Sequence, residues 1–354
     1  MSLHLSYTSH TLRFKFDART SRGAISEHKV YFLKVWNVEN PGVFGLGECA
    51  PLAGLSIDYR PDLEEKLQQV VNAVNSGKVE LRVGQGLPEE LQLQLQEWPA
   101  MRFALEVALL DLQHGGKGLL YDNAFSRGEA GIPINGLVWM GDRAFMQEQI
   151  DQKMKAGYTC LKLKIGSLDF TTELDILQSI REVAGADRLT VRVDANGAFS
   201  PQEAYKKLER LAKYELHSIE QPIRQGQLQE MIQLCAYTPV PIALDEELIS
   251  VQEAQAKEAL LESIKPQYII LKPTLVGGLA ASAEWIQMAG QRGIGWWMTS
   301  ALESNIGLNA ISQFTAQYDV TLPQGLGTGQ LYHNNIPSPL RIRQGELWRN
   351  GNVE

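Results

Sequence analysis

Apolar and polar residues alternate through much of the first fifty positions. Leu12-Arg13-Phe14-Lys15-Phe16 alternates at every step, Val30 to Val38 is rich in strand-favouring residues, and Gly42 to Gly47 reads as a glycine-punctuated turn and strand. The polar stretch Ala18 to His28 predicts a loop between the first two strands. The period then changes to that of a helix, at about 61–76 and again at 99–114. In the second, Met101, Leu105, Ala108, Leu109 and Leu112 share a face and Pro99 sits near the start. The opening third therefore reads as an α+β module.

From about residue 131 short β-type runs alternate with helical stretches, the pattern of βα units around a parallel sheet. The runs are 133–138, 160–165, 189–194, 218–220, 241–245, 268–272 and 295–299, with a weak eighth near Leu322. Eight such runs predict a closed barrel. Ser200-Pro201-Gln202-Glu203 opens one of the intervening helices with a capping box and a proline at its first position. Repeated Gly and Pro beyond about residue 323 mark a tail expected to pack back on the first module.

Five charged residues fall at or near the ends of consecutive runs: Lys164, Asp194, Glu220, Asp245 and Lys272, by subtraction 30, 26, 25 and 27 positions apart. One βα unit is about that long, so the five are expected to be neighbours on one rim, where barrels of this kind build their active sites. Three carboxylates converging on a point repel and raise their own pKa values unless a cation sits between them. A hard divalent ion with oxygen ligands resolves this, and Mg²⁺ suits three carboxylates with open positions, Mn²⁺ being the alternative. The competing reading is a salt-bridge network among the same acids and lysines. Asn196, in Asp194-Ala195-Asn196-Gly197, either supports the ligands from behind or shapes the turn.

Lys162 and Lys164 lie two apart on a strand and so point the same way, opposite to Leu161, Leu163 and Ile165, which places both ammonium groups inside the barrel. Two neighbouring cations disfavour each other's charge, which predicts a lowered lysine pKa and an amine able to act as a base near neutral pH. Lys164, nearer the rim, is the expected base, with Lys162 as its electrostatic neighbour.

Composition narrows the partners. A formal net charge of −8 over 354 residues, without a basic tract, argues against nucleic acid. Cys49, Cys160 and Cys235 are far apart with no C-x-x-C spacing, so a reduced, cytoplasmic setting is expected. Neither a secretory leader nor an apolar run of about 18 residues is present, so no membrane partner is expected. A small-molecule partner is left, and homo-oligomerisation stays open. Gly42-x-x-Gly45-x-Gly47 has the wrong spacing for a dinucleotide fingerprint, and none of the six histidines ends a predicted barrel strand, which removes a histidine base.

Lys162-x-Lys164, Asp194, Glu220, Asp245 and Lys272 together resemble the enolase superfamily, and within it the muconate-lactonizing-enzyme-like subgroup, over essentially the whole chain. The lack of a histidine on strand seven separates the chain from the mandelate-racemase-like branch. The resemblance implies an α/β fold: a (β/α)₇β TIM-like barrel with an α+β capping domain formed by the N-terminal part and the C-terminal tail. The expected division is 1–125 for the cap, 126–322 for the barrel and 323–354 for the returning segment. Thr20-Ser21-Arg22-Gly23, Gly47-Glu48-Cys49-Ala50-Pro51, Ala243-Leu244-Asp245-Glu246-Glu247-Leu248 and Gly327-Thr328-Gly329-Gln330 resemble the o-succinylbenzoate synthases. That likeness implies a Mg²⁺-dependent dehydratase of menaquinone biosynthesis acting on a small-molecule carboxylate, with Lys164, Lys162 and Lys272 catalytic and Asp194, Glu220 and Asp245 as metal ligands. It further implies Thr299 and Ser300 as substrate contacts and cap loops, Arg22 among them, that choose the substrate. Racemases of N-succinylamino acids and dipeptide epimerases share the framework. The epimerases carry an Asp-x-Asp motif near strand eight, whereas Thr321 to Thr328 contains no carboxylate.

Overall fold

The structure, a computed structural model, describes residues 2–20, 23–139 and 141–350. Three strands, β1 (Leu3–Thr20), β2 (Gly23–Asn37) and β3 (Asn40–Cys49), form an antiparallel sheet in that order. Three helices follow: α1 (Leu63–Asn75), the short α2 (Glu89–Gln94) and α3 (Pro99–Gln113). Alternation along the strands puts Leu3, Leu5, Tyr31, Leu33 and Val35 on the face that meets Leu67 and Val70 of α1 and Met101 and Leu105 of α3. Each such side chain, fully buried, contributes about 1.5–3 kcal/mol.

The stretch Ala18–His28, expected to be a polar loop, is a correction. β1 and β2 continue as a paired ribbon through Ala18–Ile25, Arg19–Ala24 and Thr20–Gly23, after a register shift between Arg13 and Ala18. Polar residues read as loop because a ribbon reaching beyond its sheet needs no apolar face along its whole length. Ser21 and Arg22 lie outside the described residues.

Gly45 and Gly47 take their meaning from this packing. A Cβ on Gly47 would stand 1.8 Å from the Ala104 carbonyl oxygen of α3, and one on Gly45 1.9 Å from that of Ala108. The glycines therefore let β3 lie directly on α3. Gly47→Ala is expected to force the two apart and cost about 1–3 kcal/mol, the usual penalty of overpacking. An unchanged urea midpoint in that variant would contradict the close contact.

The second half alternates strands and helices: β4 (Ile132–Pro133), β5 (Gly136–Val138), α4 (Arg143–Lys155), β6 (Cys160–Lys164), α5 (Phe170–Val183), β7 (Thr190–Asp194), α6 (Pro201–Ala212) and β8 (Ser218–Glu220). It continues with α7 (Leu228–Tyr237), β9 (Ile242–Leu244), α8 (Glu246–Ile249), α9 (Ala254–Ile264), β10 (Tyr268–Leu271), α10 (Pro273–Val276), α11 (Gly278–Gln291), β11 (Gly295–Met298) and α12 (Asn305–Thr315). Strands β5 to β11 form one parallel sheet in sequence order. Leu161, Leu163 and Ile165 point outward into the core shared with Ile176, Leu177 and Leu208 of the surrounding helices.

The weak eighth run is reduced to two residues that close the ring. Gln324 bridges in parallel to Ile134 and Gly325 to Thr299, and Gly325 N–H donates to Met298 O at 2.7 Å. The first predicted run also divides. Its start, β4, leaves the barrel and pairs with β13 (Glu346–Arg349), the partner of β12 (Leu340–Arg343). The tail thus returns to both halves: Gln324–Gly325 closes the barrel, Tyr332 bridges Phe14 of β1, and the β12–β13 hairpin covers β4. No helix among the described residues is long and apolar enough to cross a membrane.

Candidate active site

The parallel register brings the five charged residues to one end of the sheet. Lys164 is the Cα partner of Asp194, and Asp194 of Glu220. Asp245 and Lys272 each stand one residue beyond β9 and β10, at the N-cap positions of α8 and α10. All five side chains are buried or nearly so.

Their charges interleave. Lys164 Nζ lies 2.5 Å from Asp194 Oδ2 and donates to Asn196 Oδ1 at 2.8 Å. Lys162 Nζ contacts Glu220 and lies 3.1 Å from Asp194 Oδ2, while Lys272 Nζ contacts Asp245. The ion-pair network weighed from the sequence is therefore what the side chains form. Among the described residues no three Asp, Glu, His or Cys side chains stand grouped as a ready-made metal cage. The ammonium groups neutralise the acids instead.

The expectation that neighbouring lysines lower each other's pKa is not met at Lys162. Burial works against its charge, but Asp194 and Glu220 outweigh burial and hold the pKa above the ordinary lysine value. At Lys272 burial is likewise overcome, chiefly by Asp245. Burial would raise the Asp194 carboxyl, yet Lys162 and Lys164 pull it below the usual range; Asp245 is lowered against burial by Lys272. Glu220 moves the other way, pushed up to about 8 by burial and by the Asp194 charge. Lys162 and Glu220 thus both shift upward although they touch. Lys162 stays charged, because Asp194 also faces it, and Glu220 is incompletely compensated. Its Oε1 has no hydrogen-bond partner, and Lys272 Nζ stands 3.9 Å away.

That donor set fits a hard divalent cation: three carboxylates from adjacent strands, one with an unpartnered buried oxygen, and no sulfur or imidazole among them. Asn196 reaches Lys164 as well as the acids. With φ at +45° it accepts from Lys164 and donates through Nδ2 to Glu246 Oε1 at 3.1 Å, and its backbone N–H donates to Asp194 Oδ1.

A cavity of about 130 Å³ opens beside the lysines. Lys153, Lys162, Lys164 and Lys272 line it together with Thr299 and Ser300, and no Asp or Glu is among the described residues that line it. The two hydroxyls are held in place: Thr299 Oγ1 donates to Gly325 O at 3.0 Å, and Ser300 Oγ shares a 2.6 Å hydrogen bond with Thr328 Oγ1. Arg22 lies outside the described residues. Sequence reasoning missed Asn135, Leu137 and Trp139, which line the same cavity from the first barrel strand and the residues flanking it. Their i, i+2, i+4 parity was a usable signal, because Leu137 pairs with Lys162 and must share its inward side.

Comparison with known proteins places this site in context. The family model described as Enolase C-terminal domain-like matches residues 145–351. The chain is 47% identical to an o-succinylbenzoate synthase of Desulfotalea psychrophila, over 98% of both chains. A crystal structure of MenC from Desulfotalea psychrophila superposes with a TM-score of 0.85 at 43% identity, covering 98% of this chain and 100% of that one. The muconate lactonizing enzyme of Pseudomonas putida shares the fold, with a TM-score of 0.78 at 22% identity over 98% and 93% of the two chains.

Proposed function

The chain belongs to the o-succinylbenzoate synthase family of the enolase superfamily, and we propose that it dehydrates 2-succinyl-6-hydroxy-2,4-cyclohexadiene-1-carboxylate to o-succinylbenzoate, a hydro-lyase step of menaquinone biosynthesis. The observation that carries the proposal is a cavity walled by four lysines, Lys153, Lys162, Lys164 and Lys272, with no acid among the described residues that line it, set directly against a row of three carboxylates. Such a cavity favours an anionic substrate and offers no partner for a substrate ammonium.

Asp194, Glu220 and Asp245 would hold the divalent ion, Mg²⁺ in our assignment, which when bound supplies positive charge for the substrate carboxylate oxygens as negative charge develops on them. Lys164 takes the proton from the carbon that bears this carboxylate. It returns that proton to the departing hydroxyl on the same face, so water leaves and the amine ends as it began. Asn196 and Asp194 orient the Lys164 amine through the contacts described above. Lys272, four strands round the sheet from Lys164, faces the ring from the other side and stabilises it by cation–π attraction. Thr299, Ser300 and Arg22 are assigned to the rest of the ligand.

A second reading has one observation in its favour. Lys164 and Lys272 both reach the cavity, and two opposed amines also suit racemisation of N-succinylamino acids. An ultraviolet assay of o-succinylbenzoate formation, run beside an assay for racemisation, separates the two. Dehydration is expected to dominate kcat/KM; racemisation without dehydration would transfer the assignment to the racemases.

A further inference from the structure

The wall of the cavity that carries Thr299 and Ser300 continues through Ala301 and Leu302 and ends at Ser304, the N-cap of α12. Leu302 has φ at +66°, a left-handed conformation that a branched side chain rarely adopts. Such a backbone persists where its surroundings over-determine it. The restraints come from residues remote in sequence.

Glu48, at the end of β3, is fully buried and accepts from Ser304 N–H at 2.7 Å, Ser304 Oγ–H at 2.6 Å and Gly307 N–H at 2.8 Å. One carboxylate thereby satisfies two otherwise orphaned donors at the start of α12. Tyr332 Oη donates to Leu302 O at 2.5 Å. The buried ring of His28 lies between two carbonyls, with Nδ1 3.1 Å from Leu302 O and Nε2 3.3 Å from Pro51 O. Pro51 precedes Leu52, another cavity residue, so the ring joins the cap loop to the barrel loop across the roof of the site. A neutral imidazole donates through one nitrogen only. Tyr332 therefore secures Leu302 O whichever carbonyl the His28 proton serves.

We propose that His28, Glu48 and Tyr332 are positioning residues that clamp the Thr299–Ser304 segment, setting the part of the cavity that reads the substrate away from its reacting carboxylate. The proposal rests on the assignment of this cavity as the substrate site. None of the three is bonded to Lys164, Lys272 or the row of acids, so loss of the clamp weakens substrate recognition more than the chemical step.

Tyr332→Phe, which removes a single oxygen, and His28→Gln test the proposal with two measurements, and Glu48→Gln extends it. Hydrogen exchange of the free protein, which needs no substrate, is expected to quicken at amides 300–307 and not in β6 or β10. With the cyclohexadiene substrate, KM is expected to rise about five- to tenfold, the effect of one lost hydrogen bond, while kcat stays within about threefold. Faster exchange with KM unchanged in both variants would make the contacts merely structural and overturn the proposal, as would no change in either measurement. Wild-type protein that racemises N-succinylamino acids but does not dehydrate would defeat the assigned reaction instead. The same KM comparison on racemisation then decides the clamp.

Discussion

Lys164→Ala is expected to lose dehydration and, with it, exchange of the substrate α-proton with solvent. General acid–base catalysis contributes roughly 10²–10⁴-fold, and because the proposed mechanism has one amine both remove and return the proton, a fall in kcat at least that large is expected. The cavity places Lys164 and Lys272 on separated strands, so the second lysine cannot substitute from the same face. Lys272→Ala is also expected to be impaired, but its residual turnover should still depend on Lys164. In deuterated water, a Lys164→Ala protein that exchanged the proton and dehydrated at near the wild-type rate would remove Lys164 from the mechanism. The same outcome for Lys272→Ala would remove only its supporting role.

Removal of divalent metal is expected to abolish turnover while leaving the protein folded. The second half follows from the ion pairs: without metal, Lys162, Lys164 and Lys272 already neutralise most of the charge on Asp194, Glu220 and Asp245. Chelation should therefore silence the enzyme with only a modest loss of melting temperature, since bound metal adds stability only as RT ln(1 + [L]/Kd), about 2.7 kcal/mol at a hundredfold excess over Kd. Added Mg²⁺ should restore full activity. Asp245→Asn should weaken metal affinity and also strip Lys272 of its buried partner, so its defect should be only partly relieved by excess Mg²⁺. Full activity in a demonstrably metal-free preparation would defeat the assignment of the three acids.

The residues that converge at the rim are legible in the sequence because two periodic rules govern them. Side-chain parity on a strand places Lys162 and Lys164 on one side, and the near-constant length of a βα unit brings residues 25 to 30 apart to the same height. The strand ends 164, 194 and 220 fall in direct register. The same parity points to Leu137 and Trp139 along the first barrel strand, Leu137 being the partner of Lys162. Hidden from these rules was the state of the charges. Whether a lysine pKa rises or falls depends on how many carboxylates surround it, and Lys162 meets two.

By itself, then, the chain's pattern determined the parallel sheet, the α+β module before it and the identity of the charged residues on the rim, because local periodicity encodes direction and spacing. The tertiary structure alone decided the features that depend on distant partners. Ala18–His28 is a ribbon because its two halves pair with each other, Gly47 is required by a helix more than fifty residues away, and two residues suffice for strand eight because Ile134 and Thr299 hold them on either side. His28 and Glu48 meet Leu302 and Ser304 across 274 and 256 residues. Such contacts leave no local period in the sequence, since either partner alone satisfies only the rules of its own strand or loop.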